Sequence, residues 1–249
     1  MNVADDLYLG GFLVSDGILP AFTASEDPTL NSGVGPMGRI AFLNIVPLAA
    51  ETANIAALQA QTAATALTLA AGTGVTAKAA PDGSGNTVYA FDVPRCVSLT
   101  SGGNLSAGHF TVTGYDQYGR KQTQTLVGPN GDTVNTTKAF ASVLSVVPTT
   151  TSATTVSVGS ANIYGLPYAI TDAGYLVNVG WAGALARDTG TFVAAVTTTA
   201  SATTGDTRGT YTPSSAANGT DRLVIGMHLT AAQCGPSASV ASAIGVTPA

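Results

Sequence analysis

Charge is what this sequence has least of. Asp, Glu, Lys and Arg together make up 9% of the 249 residues, against about 25% in an average soluble domain. A free-standing enzyme keeps itself soluble with such side chains, so a chain this poor in them fits an assembly in which much of the surface is covered. Basic runs are missing too. Arg120-Lys121 is the only adjacent basic pair, and the formal net charge is -5. Nucleic-acid binding needs a positive stripe, so no direct nucleic-acid contact is expected. No stretch approaches the roughly 20 uninterrupted apolar residues of a membrane helix, and no membrane partner is expected. The start, M-N-V-A-D-D-L-Y-L-G-G-F, carries two Asp where a secretory signal would carry Lys or Arg. Export by the general pathway is therefore not expected.

Reactive side chains are also scarce. Cys96 and Cys234 are the only cysteines, His109 and His228 the only histidines, and Trp181 the only tryptophan. Two cysteines allow one disulfide, but an intracellular product keeps them reduced. Both stand in apolar, strand-like surroundings and are expected as buried free thiols. Neither histidine has a Cys, His or carboxylate at ligand spacing, and zinc needs three or four ligands. No G-x-S-x-G elbow or phosphate-binding loop occurs, and no G-x-G-x-x-G follows a strand and opens a helix. Asp82-Gly-Ser-Gly-Asn86 resembles the opening of a calcium loop, but its twelfth position is Val93, where a bidentate Glu is required. It is expected to be a hairpin turn. Asn104, Asn135 and Asn218 stand in formal glycosylation sequons, which chance supplies in a chain this rich in Thr and Ser. No catalytic residue, cofactor or metal site is predicted, and the chain does not read as an enzyme.

What is present is a strand pattern. Hydrophobic residues make up 45% of the chain, so it is not a disordered polyanion. The stretch His109–Val147 organises the rest. Phe110, Val112 and Gly114 fall on one face of an extended segment, and Thr111, Thr113 and Tyr115 on the other, the two-residue period of a half-buried strand. Asp116-Gln-Tyr-Gly119 supplies a turn, Lys121 to Val127 returns as a Thr-rich strand, and Pro129-Asn-Gly-Asp132 turns again. A third apolar segment opens at Phe140, with Val143, Leu144 and Val146. The three form an antiparallel meander.

Further strands are expected at Arg39–Val46, from Leu67 to an end at Gly72, at Val88–Val93 and Arg95–Thr100 around Pro94, and at Val156–Val158. Beyond Gly165 four more are expected: Tyr175–Trp181, Thr191–Val196, Gly209–Tyr211 and Arg222–Leu229. Residues 49 to 65 are rich in Ala and Gln, with Ile55 and Leu58 three apart, and suggest a short helix. Many short strands with regular turns predict an all-β fold, an antiparallel β-sandwich, Ig-like or jelly-roll-like. Residues 1–48 are broken by Gly and Pro yet carry large apolar groups. They read as an extended arm that packs on its own domain, a neighbouring copy or a larger surface. Leu7, Leu9, Phe12, Leu13 and Phe22 are its candidate interface anchors. The expected organisation is thus arm 1–48, a β-sandwich domain 49–165, and a second β-rich part 166–249.

Residues 55 to 158 contain A-N-I-A-A-L-Q, A-L-T-L, V-P-R-C-V-S-L-T-S, F-T-V-T-G-Y-D-Q-Y-G, T-Q-T-L-V-G-P-N-G, K-A-F-A-S-V-L-S-V and V-S-V-G. This passage resembles a domain of structural proteins of tailed bacteriophages. The resemblance implies a virion component, a capsid decoration or cement protein on the phage head surface, made in the host cytoplasm. The major capsid protein would be its partner, and a homo-oligomer (dimer or trimer) its form. The alternatives are a phage tail or host-surface-binding structural protein, and a glycan-processing or glycan-binding module. The latter would want clustered aromatics and paired carboxylates.

Overall fold

The computed structural model describes residues 39–184, 186–198, 205–234 and 239–247. The five arm anchors, Leu7, Leu9, Phe12, Leu13 and Phe22, lie outside the described residues. The strands are β1 (Ile40–Ile45), β2 (Ala56–Gln61), β3 (Val75–Ala79), β4 (Thr87–Thr100), β5 (His109–Tyr115), β6 (Lys121–Val127), β7 (Thr133–Pro148) and β8 (Ser152–Gly165). They continue with β9 (Leu176–Trp181), β10 (Thr191–Val193), β11 (Thr210–Thr212) and β12 (Leu223–His228). Two short helices follow, α1 (Ala231–Cys234) and α2 (Val240–Ile244). The fold is all-β, antiparallel and sandwich-like, with a curled nine-stranded sheet and a three-stranded sheet.

The large sheet runs β10-β11-β8-β4-β7-β5-β6, with β2 added on β8 and β3 on β4. The expected β5–β6 hairpin forms, in register from His109↔Val127 to Tyr115↔Lys121, but the expected meander does not: β7 pairs with the other edge of β5, so the order is β7-β5-β6. Gly119 closes its first turn with φ 74°, a conformation that costs glycine little. Phe110 and Val112 point into the main core with Leu99, Phe140, Val143, Val156 and Val158. Tyr115 points the other way, into a small cluster with Ala80 and Val88. Strand β7 is longer than its apolar half suggests, because Thr133, Val134 and Asn135 also pair with β4.

Three further expectations need correction. Residues 49 to 65 form no helix: β2 pairs antiparallel with β8 instead. Ile55 and Ala56 are buried while Leu58 is 63% exposed, so the apolar spacing was not a helical stripe, and tertiary pairing overrides the weak propensity of Ala and Gln. Leu67–Leu69 is extended but joins no ladder. The Gln59 side chain occupies the place of a neighbouring strand there, accepting from the Thr68 N–H (2.9 Å) and donating to its carbonyl (2.9 Å). Nor does Pro94 separate two strands. Strand β4 runs through it, and the β7 ladder skips between Ala90 and Arg95, because proline has no N–H to give.

The second core lies on the three-stranded sheet, order β1-β12-β9. Leu176, Val179, Leu223, Ile225 and Met227 are buried there with Tyr164, Leu166, Ile170 and Tyr211, and Ala41, Leu43 and Ile45 of β1 pack against them. Strand β11 joins the two parts by pairing with the end of β8 at Tyr211↔Tyr164.

Close backbone approach sets a further requirement. A Cβ on Gly159 would meet the Glu51 carbonyl oxygen at 1.9 Å, where residues 51–55 cross β8. Gly159→Ala is expected to cost about 1–3 kcal/mol through forced backbone shifts, read as a lower urea midpoint. Gly102→Ala, which meets nothing within 4 Å, is expected to stay within about 0.5 kcal/mol of the parent.

Candidate functional site

The reactive residues singled out in the sequence are scattered. His109 is exposed at the start of β5. His228 ends β12 with its ring edge-on to Tyr175 at 5.9 Å. Among the described residues no group of three or more His, Cys, Asp or Glu side chains could hold a metal ion. Cys96 is fully buried in β4, and burial pushes its thiol far up, away from the thiolate that nucleophilic chemistry needs. Cys234 is not in a strand but on α1, half-buried, its thiol 3.3 Å from the Thr230 carbonyl oxygen. Both thiols are free.

Asp82 lies in the hairpin between β3 and β4. It accepts from the Ser84 N–H (2.9 Å) and from the Tyr115 hydroxyl. Hydrogen bonds from Ser84 and Tyr115 hold its carboxyl down at about 2. The loop is a turn tied to the end of β5, with Val93 of β4 well past it. A groove of about 390 Å³ runs beside β3 and β4 past Lys78, Asp92 and Gln117. Its acid is engaged: Asp92 holds Arg95 at 2.7 Å. Gln117 donates to the Leu166 carbonyl at 3.1 Å.

The charges that matter most are buried and were not legible in the sequence. Asp116, in the β5–β6 turn, accepts backbone N–H bonds from Tyr118 and Arg120 (2.9 and 2.8 Å) and pairs with Arg208 at 2.9 Å. Both side chains of the pair are almost wholly buried. Arg208 also lies over the Tyr118 ring, 5.4 Å from its centroid. Asp206 accepts from the N–H groups of Ala139 (2.9 Å) and Arg208 (2.8 Å). Burial pushes its carboxyl above the usual range, with Arg208 opposing. Lys138 is fully buried and donates to the Thr123 carbonyl at 3.1 Å, and burial lowers its ammonium. Every group in this network is spent on backbone or on another charge. The chemistry it supports is fastening: it pins the segment before β11 to the turn and to β7.

The surface offers a different feature. The outer face of the three-stranded sheet carries Ile40 and Phe42 of β1, Val224 of β12 and Val177 of β9. Phe42 is 61% exposed, Val177 48% and Ile40 46%. Phe42 stands opposite Gly226 in register. A Cβ added at Gly226 would meet both Phe42 Cε1 and Val177 Cγ2 at 3.1 Å, so the two side chains close over the glycine from either side as one ridge. None of the three strands contains Asp, Glu, Lys or Arg. Among the described residues no strand pairs with the second edge of β1. Native sheets guard such edges with Lys, Pro or bulges, and β1, I-A-F-L-N-I, has none. Strand β1 was legible in the sequence, but which of its apolar residues face outward was not.

Comparison with known proteins adds no relative: no family model, no curated protein and no solved structure matches this chain.

Two outcomes follow for the buried groups. Arg208→Met leaves Asp116 buried without its partner and is expected to cost about 3–5 kcal/mol, seen as a lower urea midpoint with an unchanged slope. The tyrosines set the alkaline limit. Burial raises Tyr164 to about 12, and burial and then the hydrogen bond to Asp188 raise Tyr211 further. A folded pKa above the unfolded value of about 10 gives stability that is present below pH 10 and is lost as pH rises through the folded values. Thermal midpoints should therefore fall steeply between about pH 10 and 12, in step with the phenolate absorbance of the late-titrating tyrosines.

Proposed function

We propose that this protein is a capsid decoration or cement protein of a tailed bacteriophage. In this reading it sits on the head surface and binds across neighbouring subunits of the major capsid protein as a homo-oligomer. It performs no reaction and uses no cofactor. The head-surface assignment rests on the likeness of residues 55 to 158 to phage virion proteins. The observation that carries the contact function is the exposed apolar ridge of Ile40, Phe42 and Val177 beside the free edge of β1.

A cement works by burying area between subunits, and a stable interface buries about 1,200 to 2,000 Å² in total. Extended chain reaches such areas with few residues, since each spans about 3.3 Å. Each apolar anchor of the arm is worth about 1.5 to 3 kcal/mol when buried. Ordering each backbone residue costs about 1 to 2 kcal/mol. The net gain per arm is small, and the effect on a shell comes from many copies acting together.

The test adds the intact protein, and a variant lacking residues 1–24, to the same undecorated shells. The truncation is expected to bind at lower occupancy and its shells to open at lower temperature. Equal occupancy and equal shell stability would remove the arm from the mechanism. Particle images with this protein on the tail instead of the head would favour the host-surface reading.

A further inference from the structure

We infer that the edge of β1 with which no described strand pairs, and the outer ridge of its sheet, receive the N-terminal segment, residues 7–22, of a second copy of this chain. The inference rests on the reading of the N-terminal residues as an arm that leaves its own domain, and it names the surface on which that arm lands.

Three observations select this occupant. The first is charge. Asp5, Asp6, Asp16, Glu26 and Asp27 are five of the 14 acidic residues, and residues 1–38 contain no Lys or Arg. The remainder of the chain holds nine acids and all nine bases. The whole formal net charge of -5 therefore belongs to residues 1–38. Two arms repel each other, so the partner of an arm is a body. The sheet β1-β12-β9 has no carboxylate in its strands, and Arg39, Arg187 and Arg222 flank it. Arg222 lies at the mouth of the ridge, donating to Asn44 of β1 at 3.0 Å.

The second observation is the match of chemistry. An unguarded edge offers backbone donors and acceptors to an added strand, while the face beside it offers apolar contact. Residues 7–22 bring Leu7, Leu9, Phe12, Leu13, Ile18, Leu19 and Phe22 and can run extended for roughly 50 Å. A six-residue strand with Ile40 and Phe42 exposed on its outer face is the kind of acceptor that such a sequence fits.

The third is area. The ridge alone is a few side chains wide, well short of the roughly 800 Å² per partner of a stable pairing. Two bodies meeting ridge to ridge would not hold. An arm lying along β1 and over Phe42 and Val177 makes up the deficit. Exchange between copies turns that contact into an oligomer, which the low overall charge calls for.

The test uses the full-length chain without shells, so its result is independent of the cement role. A photo-crosslinking phenylalanine analogue replaces Phe12, and products are separated by denaturing gel and mapped by mass spectrometry. The expected result is a covalent dimer with crosslinks from position 12 to residues 40–45 or to Val177. Phe42→Asp and, separately, Val177→Asp are expected to abolish the dimer while circular dichroism stays that of the parent. High salt should lower its yield. Crosslinks to the same residues at monomer mobility would mean the arm folds back on its own sheet and would overturn the exchange. Dimers crosslinked elsewhere, or no crosslink, would overturn the acceptor site. Failure of shell binding with the expected dimer intact would count against the cement reading alone.

Discussion

Strand β4 is the constraint on which the rest depends. Over its 14 residues it pairs with β3, β7 and β8, so both of its edges are occupied and its backbone groups are buried with their partners. A buried strand cannot leave N–H and C=O groups unmatched. Where the ladder lapses, side chains step in. Thr136 accepts from the Val97 N–H (2.9 Å) and donates to the Lys138 carbonyl (2.8 Å). Gln124 accepts from the N–H groups of Thr137 and Lys138 (3.0 and 2.9 Å), and Gln122 donates to the Ala139 carbonyl (2.6 Å). The polar first half of β7 is thus a working part of the sheet. Thr136 of β7 and Gln122 and Gln124 of β6 are buried because they satisfy backbone groups where the ladder skips between Cys96 and Ser98.

The same economy governs charge. With nine bases in the whole chain, three of them, Arg95, Lys138 and Arg208, are buried. Arg95 donates to Asp92 and the Leu48 carbonyl and lies over the Tyr164 ring, 5.3 Å from its centroid. It thereby anchors the segment after β1 to β4. Arg208 does the same for the segment before β11. Both bonds span long stretches of chain, and both sit where the second core meets the first. Buried pairs of this kind contribute little net stability against an apolar replacement, yet breaking one partner is costly. Their effect is on arrangement: they hold the two β-rich parts in one relative position.

This division explains what could be read in advance. Strand β5 was legible because one face is core and the other half-exposed, so polarity alternates. So were the turns at Gly119 and Gly131, where positive φ leaves a mark on composition. The segment 49–65 was not legible, because β2 is a short strand held by pairing with β8 and by Gln59, and its Ala-rich composition points to a helix. Asp116, Asp206 and Arg208 gave no periodic signal: each looks like a loop residue, and only the fold brings residues 92 positions apart into contact. The exposed ridge failed for the opposite reason. No sequence rule separates a half-buried Leu43 from an exposed Phe42 when both faces of a strand are apolar.

That last ambiguity has physical content. A strand apolar on both faces and unguarded at its edge is a hazard for a monomer, and the body that carries it has no formal net charge to keep copies apart. All of the repulsion resides in residues 1–38, five carboxylates with no base. Net charge away from zero is what opposes association in solution. Residues 1–38 therefore carry two opposing properties: apolar groups that would cover the ridge in the proposed exchange, and charge that keeps uncovered bodies dispersed. In that proposed docking, an arm near Arg222 would neutralise part of this charge and hide the ridge in one step, so the repulsion that protects the free chain would fall as its need disappears. A chain with charged residues spread evenly over the body would lose this coupling, and the scarcity of charge across residues 39–249 is what makes it available.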